Sequence, residues 1–284
     1  MKDVMTLKKK KRKIRWNHVF LFTLILIFII IIIISSINIL NWLNDSNKTN
    51  DKIEEVQINT KVKEVIDTEQ TEIIETTEEE IPKENPYWDY IKMNLIDVNF
   101  NDLKQKNNEV VGWIQVNGTN INYPFVQTTD NDFYLTHSFD KSYNKAGWVF
   151  MDYRNNKSDY DKNTILYAHG RADKTMFGSL KKVIFKGWLN NSNNHVIKLS
   201  TETENTLWQV FSVYKIPTTN DYIQVKFTSD NEFIEFGNIL INRSVYNFNT
   251  SINSNDKILT LSSCYNDDEK VVLHAKLIKR EKKA

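Results

Sequence analysis

The spacing of hydrophobic positions changes twice along this chain, and each change marks a boundary. Residues 19–34 are almost entirely apolar, and the run continues less purely to residue 43. The next stretch is polar and acidic, and after it apolar positions recur with the periods of short strands and helices. The pattern divides the chain into a basic tail over 1–18, an apolar segment over 19–43, a linker over 44–85 and a folded domain over 86–284.

Most elements predicted in the folded domain are strands. Residues 111–116 and 121–126 flank Asn117 and Gly118, and an Asn-Gly pair between two such runs is a strong β-hairpin signal. Many short strands separated by turn residues favour a closed sheet or barrel. Six further strands are predicted at 147–151, 164–168, 195–199, 206–215, 258–264 and 270–278.

Helical spacing is found in three places. Short helices are predicted over 86–93 and 100–108. A longer one begins at Ser229, where Glu232 completes a capping box, and ends near Arg243.

The apolar segment over 19–43 is long enough to cross a membrane. A hydrocarbon core about 30 Å thick requires roughly 20 helical residues. Basic residues lie on its N-terminal side at 8–13 and 15, which predicts a cytoplasmic N-terminus and an extracellular domain. The alternative is a cleaved signal peptide, but no A-x-A-like site follows. We therefore expect a single-pass anchor in the cell membrane.

The linker over 44–85 is rich in Glu, Thr, Asn and Lys. Its apolar residues are too sparse to offset the entropy of ordering the chain. We expect a flexible tether that its excess of negative charge extends.

Composition excludes some functions. The chain has 37 basic and 36 acidic residues, so no global charge argues for a nucleic-acid partner. It contains 1 cysteine, which excludes an internal disulfide and leaves a free thiol.

That cysteine, Cys264, ends a predicted strand and precedes a polar loop. A free cysteine is often simply a small buried hydrophobe. However, His169 also ends a predicted strand, and a cysteine and a histidine far apart in sequence are typical of a thiol nucleophile with its acid/base partner. The patterns around His137, His195 and His274 are more typical of surface or packing histidines.

Several short motifs resemble those of sortases, a family of cysteine transpeptidases. LSSC at 261–264 resembles the family's TLxTC signature, and YAHG at 167–170 with MFG at 176–178 resembles the region of its catalytic histidine. Three further motifs resemble class B sortases in particular: GWI at 112–114, NINYP at 120–124 and GWVFMDYRN at 147–155. The resemblance runs from about Tyr87 to the C-terminus.

The resemblance implies a mainly β fold with peripheral helices. Class B sortases have an eight-stranded β-barrel with N-terminal helices and one long helix between strands 6 and 7. The implied source is a Gram-positive, low-GC bacterium.

The resemblance also implies an activity. The enzyme would cleave an NPxTx-like C-terminal sorting signal after its threonine and hold the protein as a Cys264 thioester. It would then transfer that protein to an amine of the peptidoglycan precursor or cross-bridge. The implied partners are surface proteins with such a signal, the amine and the membrane, and no metal or organic cofactor is implied.

One catalytic position departs from the family. Cys264 matches the nucleophile and His169 the acid, but Lys270 aligns with the family's arginine. A lysine keeps the charge without the planar fork of donors, so we expect it to be the oxyanion partner in a slow enzyme. The other cations considered for this role are Arg154, Arg171 and Arg243.

Substrate contacts follow from the resemblance alone. It implies that Asn131 and Leu135 lie beside the sorting peptide, and that Ser262 lies behind the thiol. It also implies contacts from Thr218, Tyr222 and Ile223, on the loop between strands 6 and 7. The alternative for all six is ordinary loop and barrel packing.

Three other functions can be weighed against the residues around Cys264. The lysine at 270 leaves open a weak or inactive sortase-like domain that binds sorting peptides or cell-wall proteins. A papain-like protease is disfavoured, because those enzymes place their cysteine at a helix start. A thiol-phosphatase loop is rejected because it needs an arginine and glycines, whereas acidic residues fill 267–269.

Overall fold

The computed structural model describes residues 15–66, 71–74 and 85–283. Of the basic tail predicted over 1–18, residues 1–14 therefore lie outside the described residues. The chain divides into two units, Met1–Asn44 and Asp45–Ala284.

Eight strands form a closed barrel. In the ring they follow the order β10, β7, β6, β5, β4, β8, β9 and β11, and pairing of β10 with β11 closes it. The strands are β4 (Val110–Val116), β5 (Asn122–Val126), β6 (Phe150–Met151), β7 (Asn163–Tyr167), β8 (Val196–Thr201), β9 (Glu204–Pro217), β10 (Ile258–Cys264) and β11 (Glu269–Lys282). The prediction of an eight-stranded barrel is confirmed.

The interior of the barrel is packed with large side chains. Trp113, Trp148 and Trp208 are fully buried in the main hydrophobic cluster. Each indole N–H has a partner, as buried indoles require; that of Trp148, for example, donates to the Pro124 carbonyl at 2.8 Å.

One long helix, α5 (Asp230–Arg243), lies between β9 and β10, the sixth and seventh barrel strands. Ser229 caps it by accepting a hydrogen bond from the Glu232 N–H at 3.2 Å. Phe233, Phe236 and Leu240 pack into a second hydrophobic cluster. The predicted helix and its Ser229 cap are confirmed, but the Glu232 carboxylate accepts from the Thr228 N–H and hydroxyl, one residue before the cap.

Shorter helices surround the barrel. They are α2 (Tyr87–Tyr90), α3 (Asn101–Lys106) and α4 (Lys186–Leu189). Short 3-10 helices span Phe133–Leu135, Gly178–Ile184 and Ser192–Asn194.

The segment predicted to be a flexible linker contains regular structure. Helix α1 (Trp16–Asn59) extends well into it, and β1 (Val62–Val65) pairs antiparallel with β3 (Leu95–Val98). Strand β2 (Thr71–Ile73) pairs with the end of β11 as a ninth strand of the barrel sheet. Apolar residues are sparse in this stretch, and composition reveals neither the backbone pairing of β1 and β2 nor the side-chain contacts of α1.

The apolar segment is part of α1. Among the described residues, α1 is the one helix whose length and composition suit a membrane span.

Candidate active site

Two parallel strands bring Cys264 and His169 to the same end of the barrel. Strands β7 and β10 pair in register as far as Tyr167 and Ser262, and His169 and Cys264 each lie two positions further on. The Ser263 hydroxyl continues the contact by donating to the Ala168 carbonyl at 2.9 Å. The sequence connected these two strand ends only because a distant cysteine and histidine are typical of a thiol nucleophile and its partner. In the structure the two ends are neighbours.

Gly170 is needed for this close approach. A Cβ at residue 170 would lie 2.0 Å from the Cys264 carbonyl oxygen, well inside van der Waals contact. The glycine that follows His169 therefore lets the two backbones touch beside the thiol.

The hairpin of β10 and β11 positions the cation. Cys264 pairs directly with Lys270 across the hairpin. The Lys270 Nζ donates to the Cys264 Sγ at 3.0 Å. Cys264, His169 and Lys270 are all half-buried, so a substrate can reach them.

The imidazole of His169 is oriented by the backbone. Its Nε2 lies 2.7 Å from the Leu135 carbonyl oxygen, which can only accept a hydrogen bond. Nε2 therefore carries the proton in this arrangement, and Nδ1 is the nitrogen that can gain one.

A cavity of about 390 Å³ contains all three groups. It also brings together the six predicted substrate contacts: Asn131, Leu135, Thr218, Tyr222, Ile223 and Ser262. The structure shows that these six residues line one cavity. Their contact with a peptide stays a prediction. Sequence reasoning missed Phe150, Tyr167, Ala168, Thr219, Asn220 and Ser263.

The loop after β9 is held against the site at two points. The Thr218 N–H donates to the Asp268 carbonyl at 3.0 Å, which ties the loop to the β10–β11 turn. The guanidinium of Arg154 donates to the Ile223 carbonyl at 3.0 Å. This wall of the cavity is therefore fixed by protein contacts.

The three arginines considered as oxyanion partners are bound to carboxylates. Arg154 pairs with Asp152 at 2.6 Å. Arg171 pairs with Asp173 at 2.7 Å, and Arg243 with Asp221 at 2.5 Å. Of the four candidate cations, Lys270 is the one that lines the cavity.

Asp152 organises a neighbouring part of the cavity lining, and sequence reasoning missed it. Its buried carboxylate accepts hydrogen bonds from Asn131 Nδ2 at 3.1 Å and from the Tyr167 hydroxyl at 3.0 Å, besides pairing with Arg154. Burial alone would raise the pKa of Asp152, but the hydrogen bonds and charge of Arg154, with the Tyr167 hydroxyl, outweigh burial and lower that pKa. Its position within the GWVFMDYRN motif was the available signal.

A buried polar network lies beneath the site. The Tyr222 and Ser262 hydroxyls are 2.9 Å apart. Further along the same face of β10 and β11, the His274 ring contacts the Tyr214 hydroxyl through Nε2 and the Thr260 hydroxyl through Nδ1, each at 2.8 Å. Burial lowers the pKa of His274 to about 3, with a smaller contribution from the charge of Arg243.

The remaining two histidines considered also have packing contacts. His137 stacks on Phe133, and its Nδ1 lies 2.8 Å from the Phe133 carbonyl oxygen. His195 is buried, with Nε2 3.0 Å from the Leu189 carbonyl oxygen. Among the described histidines, only His169 lines the cavity that contains the thiol.

This barrel, with a thiol, an imidazole and an ammonium in one groove, is equipped for acyl transfer through a cysteine. The family model described as Sortase domain matches residues 114–278. The chain therefore belongs to the sortase family and, as its relatives show, to class B.

Those relatives include two proteins named Sortase B. The one from Listeria monocytogenes is 33% identical over 181 residues, covering 62% of this chain and 73% of the relative. The one from Staphylococcus aureus is 34% identical over 184 residues, covering 63% and 75%. A solved sortase B from B. anthracis, in complex with AAEK1, is 31% identical with a TM-score of 0.64, covering 85% of this chain and 99% of its own. The chain is a sortase transpeptidase.

Proposed function

We propose that this transpeptidase joins surface proteins to the cell wall through a Cys264 thioester. It would cleave an NPxTx-like sorting signal after the threonine and transfer the acyl group to an amine of the peptidoglycan precursor or cross-bridge. The observation that carries the proposal is the 3.0 Å contact between Lys270 Nζ and Cys264 Sγ, in the cavity that His169 also lines.

In the first half-reaction the Cys264 thiolate attacks the carbonyl carbon of the threonine. The oxygen becomes negative, and the Lys270 ammonium stabilises it. The C–N bond breaks as protonated His169 gives its proton to the leaving amine, which leaves the acyl group on sulfur.

In the second half-reaction the acceptor amine attacks the thioester carbon. His169 takes a proton from that amine, the new C–N bond forms, and the thiolate departs. The enzyme returns to its starting state, with no redox change.

The cavity walls would hold the sorting peptide. The lining includes Asn131, fixed by Asp152, and Leu135, whose carbonyl orients His169. It also includes Thr218 and Ile223, whose backbones are tied down, and Tyr222 bonded to Ser262. Such walls would select an extended peptide with little loss of loop entropy.

We propose that α1 anchors the enzyme in the cell membrane as a single pass. The basic residues preceding it would keep the N-terminus in the cytoplasm and place the barrel outside, where its substrates are.

The test is a quenched-fluorescence library of sorting peptides, incubated with the full chain in detergent. We expect cleavage of NPxTx-like peptides after threonine, joining to an added amine, and loss of both in Cys264→Ala. The matched control, Ser263→Ala, keeps the thiol. Peptide binding without turnover would instead favour the inactive, peptide-binding alternative.

A further inference from the structure

We propose that Lys270 is itself an acyl acceptor, and that transfer of the acyl group from Cys264 to Lys270 inactivates the enzyme. The proposal rests on the function above in one respect, namely that substrate arrives on Cys264 as a thioester. It assigns Lys270 as a site of self-modification, with the substrate's acyl group as the modifying group.

The two side chains are positioned for this transfer. Cys264 and Lys270 are direct partners in the antiparallel pairing of β10 and β11, and their Sγ and Nζ atoms are 3.0 Å apart. In a thioester the acyl carbon is bonded to the sulfur, so it lies next to Nζ. Reacting atoms about 3–3.5 Å apart are in near-attack geometry, where an intramolecular reaction gains a large effective molarity.

The chemistry balances without another reactant. Lys270 in its neutral form attacks the thioester carbon, the new C–N bond forms and the C–S bond breaks. The electron pair of the C–S bond leaves with the sulfur, and the proton lost from nitrogen ends on that thiolate. The products are a free Cys264 thiol and an amide on Lys270, which is more stable than the thioester.

The same amine that stabilises the oxyanion when protonated is a nucleophile when it is not. An arginine at this position would avoid the reaction, because a guanidinium stays protonated in proteins. The transfer is thus a consequence of having lysine at residue 270.

The neighbouring carboxylate does not hold Lys270 away from the thiol. Glu269 pairs instead with Lys215, at 2.9 Å. Lys215 lies on the adjacent strand β9 and is exposed, which makes it a matched control lysine near the site.

Self-acylation would end catalysis for two reasons. The amide removes the positive charge that the oxyanion needs, and the attached acyl chain occupies the substrate cavity. Because the acceptor amine and Lys270 compete for one thioester, inactivation would increase when the acceptor is scarce. The reaction therefore couples the enzyme's lifetime to the supply of cell-wall amine.

The first experiment uses a probe that does not depend on sorting-signal recognition. The full chain in detergent is incubated with the acetyl thioester of N-acetylcysteamine, which acylates thiols by exchange. Hydroxylamine then removes thioesters and leaves amides, and peptide mass spectrometry locates the acetyl group. We expect a hydroxylamine-resistant acetyl group on Lys270, about tenfold or more above that on Lys215.

Three variants separate the routes. Lys270→Arg should carry only a hydroxylamine-labile adduct, and Lys215→Arg should behave as the parent. Cys264→Ala should lose the acetyl group on Lys270, because the group arrives through the thiol. A labile adduct on Cys264 of the parent with none on Lys270 would overturn the proposal, as would undiminished acetylation of Lys270 in Cys264→Ala.

A second arm replaces the probe with a sorting peptide and omits the amine. Turnover that declines in step with peptide accumulating on Lys270 would support the proposal, whereas a decline with no peptide on Lys270 would overturn it. If acetyl transfer to Lys270 occurs but no sorting peptide is cleaved, the proposed function fails while the transfer stands.

Discussion

The chemistry we propose depends on one amine beside one thiol. The Lys270 Nζ contacts the Cys264 Sγ at 3.0 Å, whereas Arg154, Arg171 and Arg243 are each paired with a carboxylate. A lysine offers a rotatable point charge where an arginine would offer several fixed donors. In the proposed mechanism this contact lets Lys270 take the role that the resemblance gives to an arginine.

Replacing Lys270 with alanine should therefore reduce kcat/KM for peptide cleavage by about a hundredfold or more, because an oxyanion partner is lost. Arg171→Ala should keep most of the activity and lower stability instead, since its partner Asp173 is mostly buried. Steady-state kinetics beside thermal denaturation would check both. The assignment fails if Arg171→Ala loses the activity and Lys270→Ala retains it.

His274 makes the stability of the fold depend on pH. Thr260 donates its hydroxyl proton to the Asn163 side chain, so it accepts from His274 Nδ1–H, and Nε2 accepts from Tyr214. The ring is thus held neutral, in agreement with a pKa lowered to about 3 by burial. In the unfolded chain the ring binds a proton at its ordinary pKa of about 6.5.

Between those two pKa values the unfolded state holds the extra proton, so lowering the pH favours unfolding. The contribution of His274 should be fully present above about pH 6.5 and decrease by about 1.4 kcal/mol per pH unit below it. Urea titrations at several pH values would measure the slope. His274→Gln should be less stable at neutral pH and show a shallower slope; an unchanged slope would contradict the assignment.

At the scale of elements, the site depends on the seam between β7 and β10. These strands are distant in sequence yet pair in parallel, and Gly170 touches the Cys264 backbone where they end. The hairpin with β11 then adds Lys270. Three strand ends, rather than one loop, define the spacing of the reactive groups.

Gly170→Ala tests that spacing. A Cβ only 2.0 Å from the Cys264 oxygen forces the strand ends apart. We expect kcat to fall by about tenfold to a hundredfold, because small displacements from reactive geometry slow chemistry strongly. Gly187→Ala is the matched control, since a Cβ there meets nothing within 4 Å. Equal activity of the two variants would show that the close approach is not needed.

Alternation of apolar and polar residues was sufficient to predict the barrel strands. The sequence pattern at Ser229 was sufficient to predict the start of α5. The alternation overestimated the length of β6, predicted over 147–151 and observed as Phe150–Met151, because Gly147 has φ +63° and its N–H donates to the Asn144 carbonyl in a turn. Cys264 and His169 were predicted because both end strands. Asp152 was not, because its role depends on partners that only the folded chain brings together.

At the scale of the whole molecule, the barrel has additions that composition did not predict. Within the unit that begins at Asp45, the end of α1 buries Thr49 and Val56, and Ser46 donates to Asp173 at 2.5 Å. Gln57 donates to the Asn122 carbonyl at 2.9 Å. The low average hydrophobicity of residues 44–85 predicted a tether, because a few specific contacts hardly change that average.

Two truncations measure these contacts. Starting the chain at Asp45 keeps the end of α1, and starting it at Lys61 removes it. Burying a valine contributes about 1.5–3 kcal/mol, and each kcal/mol shifts Tm by about 2–4 °C at this size. We expect the shorter chain to melt about 5 °C lower by calorimetry, with the same barrel circular dichroism. Equal melting temperatures would mean that this stretch is a tether after all.

The closed ring has a consequence for how the enzyme matures. Strands β7 and β10 are neighbours in the ring although β8, β9 and α5 lie between them in the chain, whereas β10 and β11 form a local hairpin. The hairpin alone brings Lys270 to Cys264, but His169 joins them only through the pairing of β7 with β10. A chain whose ring is still open therefore lacks the imidazole beside the thiol, and the proposed acyl transfer would begin only once the barrel has closed.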